Sequence, residues 1–174
     1  MKVKIPKFVL GRRVNKSFDT VIFQETFNNT MMEEQGKYKS ETIENIPDRL
    51  SDAEIVYQLN SKNIDNAYLT LFKKYSSLKD DVIADFFDMN VKTFRSYKTM
   101  GMPLKENVKE RLILLLSLFK HGKRVFGSVR AFKEWLYSEN FFFDGNAPVS
   151  LLGSVSGIRI VDSRLIAMEY GDNV

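Results

Sequence analysis

The chain has 174 residues, 44% hydrophobic, 13% aromatic and 28% charged, with a formal net charge of +4 at pH 7. That is enough apolar content to bury a core, in one domain or two small ones, and it is not the composition of a disordered chain. With no cysteine and a single histidine, disulfides, thiolate metal sites, Cys–His catalysis and multi-histidine metal sites are left without their residues.

The longest strongly apolar stretch, Leu112 to Phe119, contains Ser117 and falls far short of the ~20 residues that cross a bilayer. The N-terminal MKVKIPKFVLGRR lacks the apolar core and small-residue cleavage site of a signal peptide. These features predict a soluble, cytoplasmic protein with no membrane association. The charge is uneven. Residues 1–16 carry six bases (Lys2, Lys4, Lys7, Arg12, Arg13, Lys16) and no acid. Residues 92–133 carry eleven bases against Glu106 and Glu110, and the remainder is acidic. Such a block is either the footprint of a polyanion-binding face or a set of ordinary solvated helix faces.

Residues 1–50 read as an N-terminal extension. Lys2 to Leu10 alternates in part and suits an arm or a strand; Phe18 to Phe27 suits a short helix or strand; Met31 to Asp48 is polar and ends at Ile46-Pro47. Helical character begins at Ser51, where Ser51-Asp52-Ala53-Glu54 has the capping-box form. Asp65 caps a second helix carrying Leu69, Leu71 and Phe72, and Asp80 or Asp81 opens a third with Ile83, Phe86 and Phe87. After Pro103, the apolar residues from Leu104 to Phe119 predict a long helix that is apolar nearly all round and so forms the centre of an all-α domain. His121-Gly122 is expected to end it, with His121 solvated at the helix end. Beyond it, Ser128 caps a helix bearing Phe132, Trp135 and Leu136. Asn140 to Ala147 is a loop, Pro148 opens a short helix, and a last helix runs roughly from Ser156 to Glu169, closed by Gly171. The expected architecture is all-α: residues 1–50 as extension, 51–122 as one helical domain and 123–174 as a second.

Residues 80–99, DDVIADFFDMNVKTFRSYKT, have helix-turn-helix form. Ile83, Phe87, Met89, Phe94 and Tyr97 fall at the contact positions of two crossing helices, with Ala84 as the small residue between them. Asn90 can cap the second helix. Its outward residues are Val91, Lys92, Arg95, Ser96 and Lys98, a candidate recognition face with Arg and Lys suited to phosphate or guanine and Ser to either. Asn90, Lys92, Thr93, Arg95, Ser96 and Lys98 are the candidate DNA-binding residues. Asp88 stands where the turn usually has Gly; it tolerates a left-handed backbone but brings a negative charge close to the recognition helix. The alternative is a helical hairpin serving only as scaffold.

From about Asn63 to Gly171 the chain resembles antitoxins of the Xre/MbcA/ParS group, partners of RES-domain toxins. The resemblance is carried by Val125-Phe126-Gly127, Ala131-Phe132, Trp135-Leu136, Asn140, Gly145, Pro148, Leu151-Leu152, Gly157, Val161, Leu165 and Gly171, in order. Upstream, Thr93-Phe94-Arg95-Ser96-Tyr97 is similar to the family's recognition segment, with Arg95 one place early and Tyr97 where a base is usual. The resemblance implies an Xre-like domain that forms a homodimer and often binds its own promoter, and a C-terminal domain that docks on an NAD-consuming toxin and covers its active site. It implies no catalytic residue, no cofactor and no metal in this chain. The toxin-binding candidates are Phe142, Arg159, Arg164, Met168, Tyr170 and Val174, chiefly on the last helix and tail. Phe126, Gly127, Trp135, Pro148 and Gly157 are expected to be structural. Phe141-Phe142-Phe143 cannot all point inward, so at least one is exposed or covered by a partner.

Two other functions compete. A stand-alone helix-turn-helix regulator would use the same face on operator DNA without a toxin. An enzyme would need a phosphate-binding glycine loop, a nucleophile elbow or a spaced carboxylate pair, and none stands out.

Overall fold

A computed structural model describes residues 44, 46–100 and 102–171, and all the described elements are helices or 3-10 turns. The readings of Lys2–Leu10 and Phe18–Phe27, and the basic block of residues 1–16, lie outside the described residues. Helix α1 spans Asp52–Ser61 and starts as its sequence predicts: Ser51 Oγ accepts from the Glu54 N–H at 3.3 Å, and Ser51 N donates to Glu54 Oε2 at 2.8 Å. Helix α2, Asn66–Ser76, is capped by Asp65, whose Oδ1 accepts from Ala67 N at 2.8 Å. Helix α3, Asp80–Phe86, and helix α4, Val91–Met100, follow.

Helix α5, Glu106–Phe126, is the element on which most of the other described helices pack. Every residue from Arg111 to Phe119 is buried, which is the environment an all-round apolar helix requires. The expected stop at His121-Gly122 is corrected: the helix continues to Phe126, and Gly127, at φ 76°, is its left-handed cap. Gly122 serves a different purpose. A Cβ there would overlap the ring of Phe132, so the glycine lets helix α6, Val129–Leu136, lie close against α5.

Two 3-10 turns, Phe141–Phe143 and Pro148–Leu151, lead into helix α7, Val155–Glu169, capped by Ser154 through Gly157 N at 3.0 Å. Pro148 is buried at the first position of its turn, and Gly157 is needed where a Cβ would overlap the Leu151 carbonyl. Helices α6 and α7 both pack along α5.

An aromatic chain runs through the core. Phe72 of α2 meets Phe119 of α5 edge-on at 5.2 Å, and Phe119 meets Phe132 of α6 at 5.2 Å. Phe132 stacks with Trp135 at 5.9 Å, and Trp135 reaches Phe143 at 6.2 Å. Phe126 completes the cluster 5.4 Å from Trp135.

His121 is fully buried rather than solvated, because the helix does not end beside it. Its Nδ1 lies 2.6 Å from Asp162 Oδ1. Its Nε2 is 3.2 Å from Glu169 Oε2 without meeting hydrogen-bond geometry. Arg124 joins the same cluster, 2.8 Å from both Asp48 and Glu169, and Arg49 lies 3.3 Å from Glu169. Lys120 donates to the Ile46 carbonyl. These pairs lay residues 46–50 against α5 and α7, with Ile46 and Leu50 buried in the common core. The polar end of the extension is thus core material at two positions, spaced too sparsely to show as a helical period.

Candidate toxin-binding and DNA-binding surfaces

The turn between α3 and α4 is built as its residues require. Ile83, Ala84, Phe87, Phe94 and Tyr97 are buried where the two helices meet, and Met89 packs against them. Asp88 adopts a left-handed backbone, φ 51°, which Asp accepts more readily than most residues. Asn90 caps α4: its Oδ1 accepts from Thr93 N at 2.8 Å and from Thr93 Oγ1 at 3.1 Å. Asn90 and Thr93 therefore engage each other at the helix start. Ser96 Oγ donates to the Lys92 carbonyl at 3.0 Å. Lys92 is exposed. Arg95, 66% exposed in its side chain, donates through Nε to Asp80 Oδ2 at 3.2 Å, and Asp80 also accepts from Lys73. The side chain of Lys98 lies outside the described residues. The Asp88 carboxylate, a repulsive charge on paper, pairs with Arg111 Nη1 at 2.8 Å.

Arg111 is the residue that sequence reasoning missed. It heads the buried run of α5 and donates to the Phe86 carbonyl at 3.1 Å and the Gly153 carbonyl at 2.8 Å as well. A cation opening a nine-residue buried stretch was the available signal, since a buried charge demands partners.

At the other end, the three consecutive phenylalanines divide as steric reasoning requires. Phe143 is buried, Phe142 is 41% exposed and Phe141 is 89% exposed. The loop holding them is well fastened. Asn140 Oδ1 accepts from Phe142 N at 3.0 Å, the Asn140 carbonyl accepts from Phe143 N and Gly145 N, and Asp144 and Gly145 take left-handed backbones. The Arg164 guanidinium lies 3.3 Å from the centroid of the Phe142 ring, a cation–π contact. Phe141 and Phe142 meet edge-on at 5.9 Å.

Two of the expected toxin contacts, Arg159 and Arg164, face different ways. Arg159 and Arg164 are five residues apart, about 140° around a helix. Arg159 pairs with Asp52 of α1, while Arg164 is buried under the aromatic loop, so the two do not reach outward together. Met168 is half-buried against the core, Tyr170 is 80% exposed, and Val174 lies outside the described residues.

Residues 121–171 match the family model of the antitoxin Xre/MbcA/ParS C-terminal toxin-binding domain. The match covers less than a third of the chain, and through this segment the chain is similar to the toxin-binding domain of the Xre/MbcA/ParS antitoxins. The match starts at His121, four residues before Val125-Phe126-Gly127, and stops at Gly171, where the sequence resemblance stops. No curated protein matches the chain. No helix among the described residues is long and apolar enough to cross a membrane.

Proposed function

We propose that this chain neutralises a RES-domain, NAD-consuming toxin by covering its active-site entrance, and that it regulates its own operon by binding operator DNA as a homodimer. The observation that carries the toxin half is Phe141. A phenylalanine 89% exposed at the tip of a fastened loop, inside the segment that matches a toxin-binding domain, meets only Phe142, edge-on, among the ring contacts of the described residues. Exposed aromatic anchors held rigid before binding are what interface hot spots require. Occlusion needs no chemistry from this protein, which is consistent with its lack of a nucleophile elbow or a phosphate loop. The exposed tail end, Tyr170, is the second contact.

The test is co-expression with the RES-type product of the neighbouring gene, followed by co-purification and a growth assay. Phe141→Ala should leave thermal stability unchanged and weaken toxin capture by about 2 kcal/mol or more, the size of a hot-spot loss. Deleting Tyr170 to Val174 should weaken neutralisation with the fold intact. A neighbouring product that never co-purifies with the wild-type chain would sink the toxin half.

The exposed Lys92 and Arg95 on α4 support the DNA half, and the exposed Val56 and Tyr57 on α1 offer apolar surface for a dimer. A stand-alone regulator would keep the DNA binding and lack the toxin capture, so the same co-purification separates the two readings.

A further inference from the structure

Arg111 is buried, and one of its terminal nitrogens, Nη1, reaches three oxygens: Asp88 Oδ2 and the Gly153 carbonyl at 2.8 Å each, and the Phe86 carbonyl at 3.1 Å. Its Nε donates back to the Asn107 carbonyl at 3.4 Å, along its own helix. The three acceptors come from two regions. Phe86 and Asp88 end α3 and begin the turn into α4. Gly153 lies between the second 3-10 turn and α7, inside the matched toxin-binding segment. The backbones are close there, since a Cβ on Gly153 would stand 3.9 Å from the Asp85 carbonyl.

Nη1 carries two protons for three acceptors, so the acceptors share them. Moving any one acceptor changes what the other two receive. A buried guanidinium loses heavily when left unpaired, so it follows its partners rather than releasing them. On the α3–α4 side it grips Asp88, a non-glycine residue held at φ 51°. That conformation persists only when its surroundings impose it. Two residues on, Asn90 caps α4, so the position of the turn sets where α4 lies.

We propose that Arg111 is a positioning residue that couples the α3–α4 turn to the start of α7. A displacement around residues 153–158 is passed to the turn, and a displacement of the turn is passed back, as reciprocal linkage demands. This rests on the reading above for its use, which is to tell the DNA face whether the toxin-binding domain is occupied. The coupling itself belongs to the chain alone and is tested without either ligand.

The experiment is amide hydrogen exchange on the full chain. Asp88→Gly keeps the left-handed turn without a Cβ penalty and deletes the carboxylate that Arg111 grips. The Asp88 side chain is 76% exposed, so the variant should fold. Exchange at Gly157 and Ile158, 69 and 70 positions away in the chain, should speed up about fivefold or more, the low end of measured couplings. Ile55 N in α1 is the control. A general loss of stability would speed all core amides together, whereas coupling through Arg111 leaves Ile55 unchanged. In an Arg111→Lys background, which keeps the charge but loses the planar fork, Asp88→Gly should have little further effect at Gly157 and Ile158. Unchanged exchange there in Asp88→Gly, or an effect equally large in the Arg111→Lys background, overturns the proposal. Failure of the wild-type chain to bind DNA would instead remove the DNA half of the proposed function and leave the exchange result standing.

Discussion

At Gly122, the space a side chain would need is already taken by the Phe132 ring. That ring is fully buried and hemmed in by Phe119, Phe126 and Trp135, so it cannot swing away. Gly122→Ala gains helix propensity, worth up to about 1 kcal/mol, but meets an overpacking cost that is larger. A net loss of about 1–3 kcal/mol is expected, read from urea unfolding midpoints. An unchanged midpoint would mean that α6 does not approach α5 as closely as described. The glycine misled the sequence reading for a physical reason. A glycine after a long helix suits a left-handed cap, and a glycine under an aromatic ring suits close packing. One sequence cannot separate the two until the partner ring is known. His121 was misplaced by the same error. Ser51 was legible because a capping box is local. The Ser51 hydroxyl, and then its N–H, hold the Glu54 carboxyl below its ordinary value of 4.5. Its folded pKa is depressed, so its contribution to stability is present above about pH 4.5 and is lost as pH falls through the lower folded value. Ser51→Ala should therefore lower the melting temperature at pH 7 and narrow its gap to wild type as the pH falls below 4.5. A gap that stays constant across that range would show that the box contributes no charge-dependent stability.

At the scale of elements, α4 carries Lys92 and Arg95 exposed and Thr93 and Ser96 half-buried. Local rules reached its cap, its apolar contacts and the cationic residues Lys92 and Arg95. They did not reach Asp80, fifteen residues upstream, which holds Arg95 through Nε. Asn90 and Thr93 engage each other through Asn90 Oδ1 at the start of the helix. The expected DNA energetics therefore concentrate on two side chains. Lys92→Ala should weaken binding to operator and unrelated DNA about equally and reduce the slope of log affinity against log salt by about one. Arg95→Ala should cost about 1–3 kcal/mol and relax discrimination at one base position if it reads a guanine, and should behave like Lys92→Ala if it meets a phosphate. Mobility shifts at several salt concentrations distinguish the cases. Wild-type affinity in both variants would remove this face as the DNA reader.

At the scale of the whole molecule, a division at residue 122 would set one helical domain before another, but α5 runs unbroken through that position from Glu106 to Phe126. The aromatic chain continues across as well, from Phe72 through Phe119 to Phe132 and Trp135, and Arg111 joins Phe86 and Asp88 to Gly153. These contacts link residues far apart in sequence, which is why periodicity and capping rules gave no sign of them. All the described residues lie in one compact unit. Shared contacts of this kind make unfolding cooperative. The sole tryptophan, Trp135, sits in the segment matched by the family model and reports on it by fluorescence, while far-UV ellipticity reports on all the helices. The two denaturation curves should coincide, with a single midpoint. Phe119→Ala empties the middle of the aromatic chain and should cost about 3–5 kcal/mol, moving both curves together. Two independently folding domains would behave otherwise: the fluorescence transition would separate from the ellipticity transition, and Phe119→Ala would shift one more than the other.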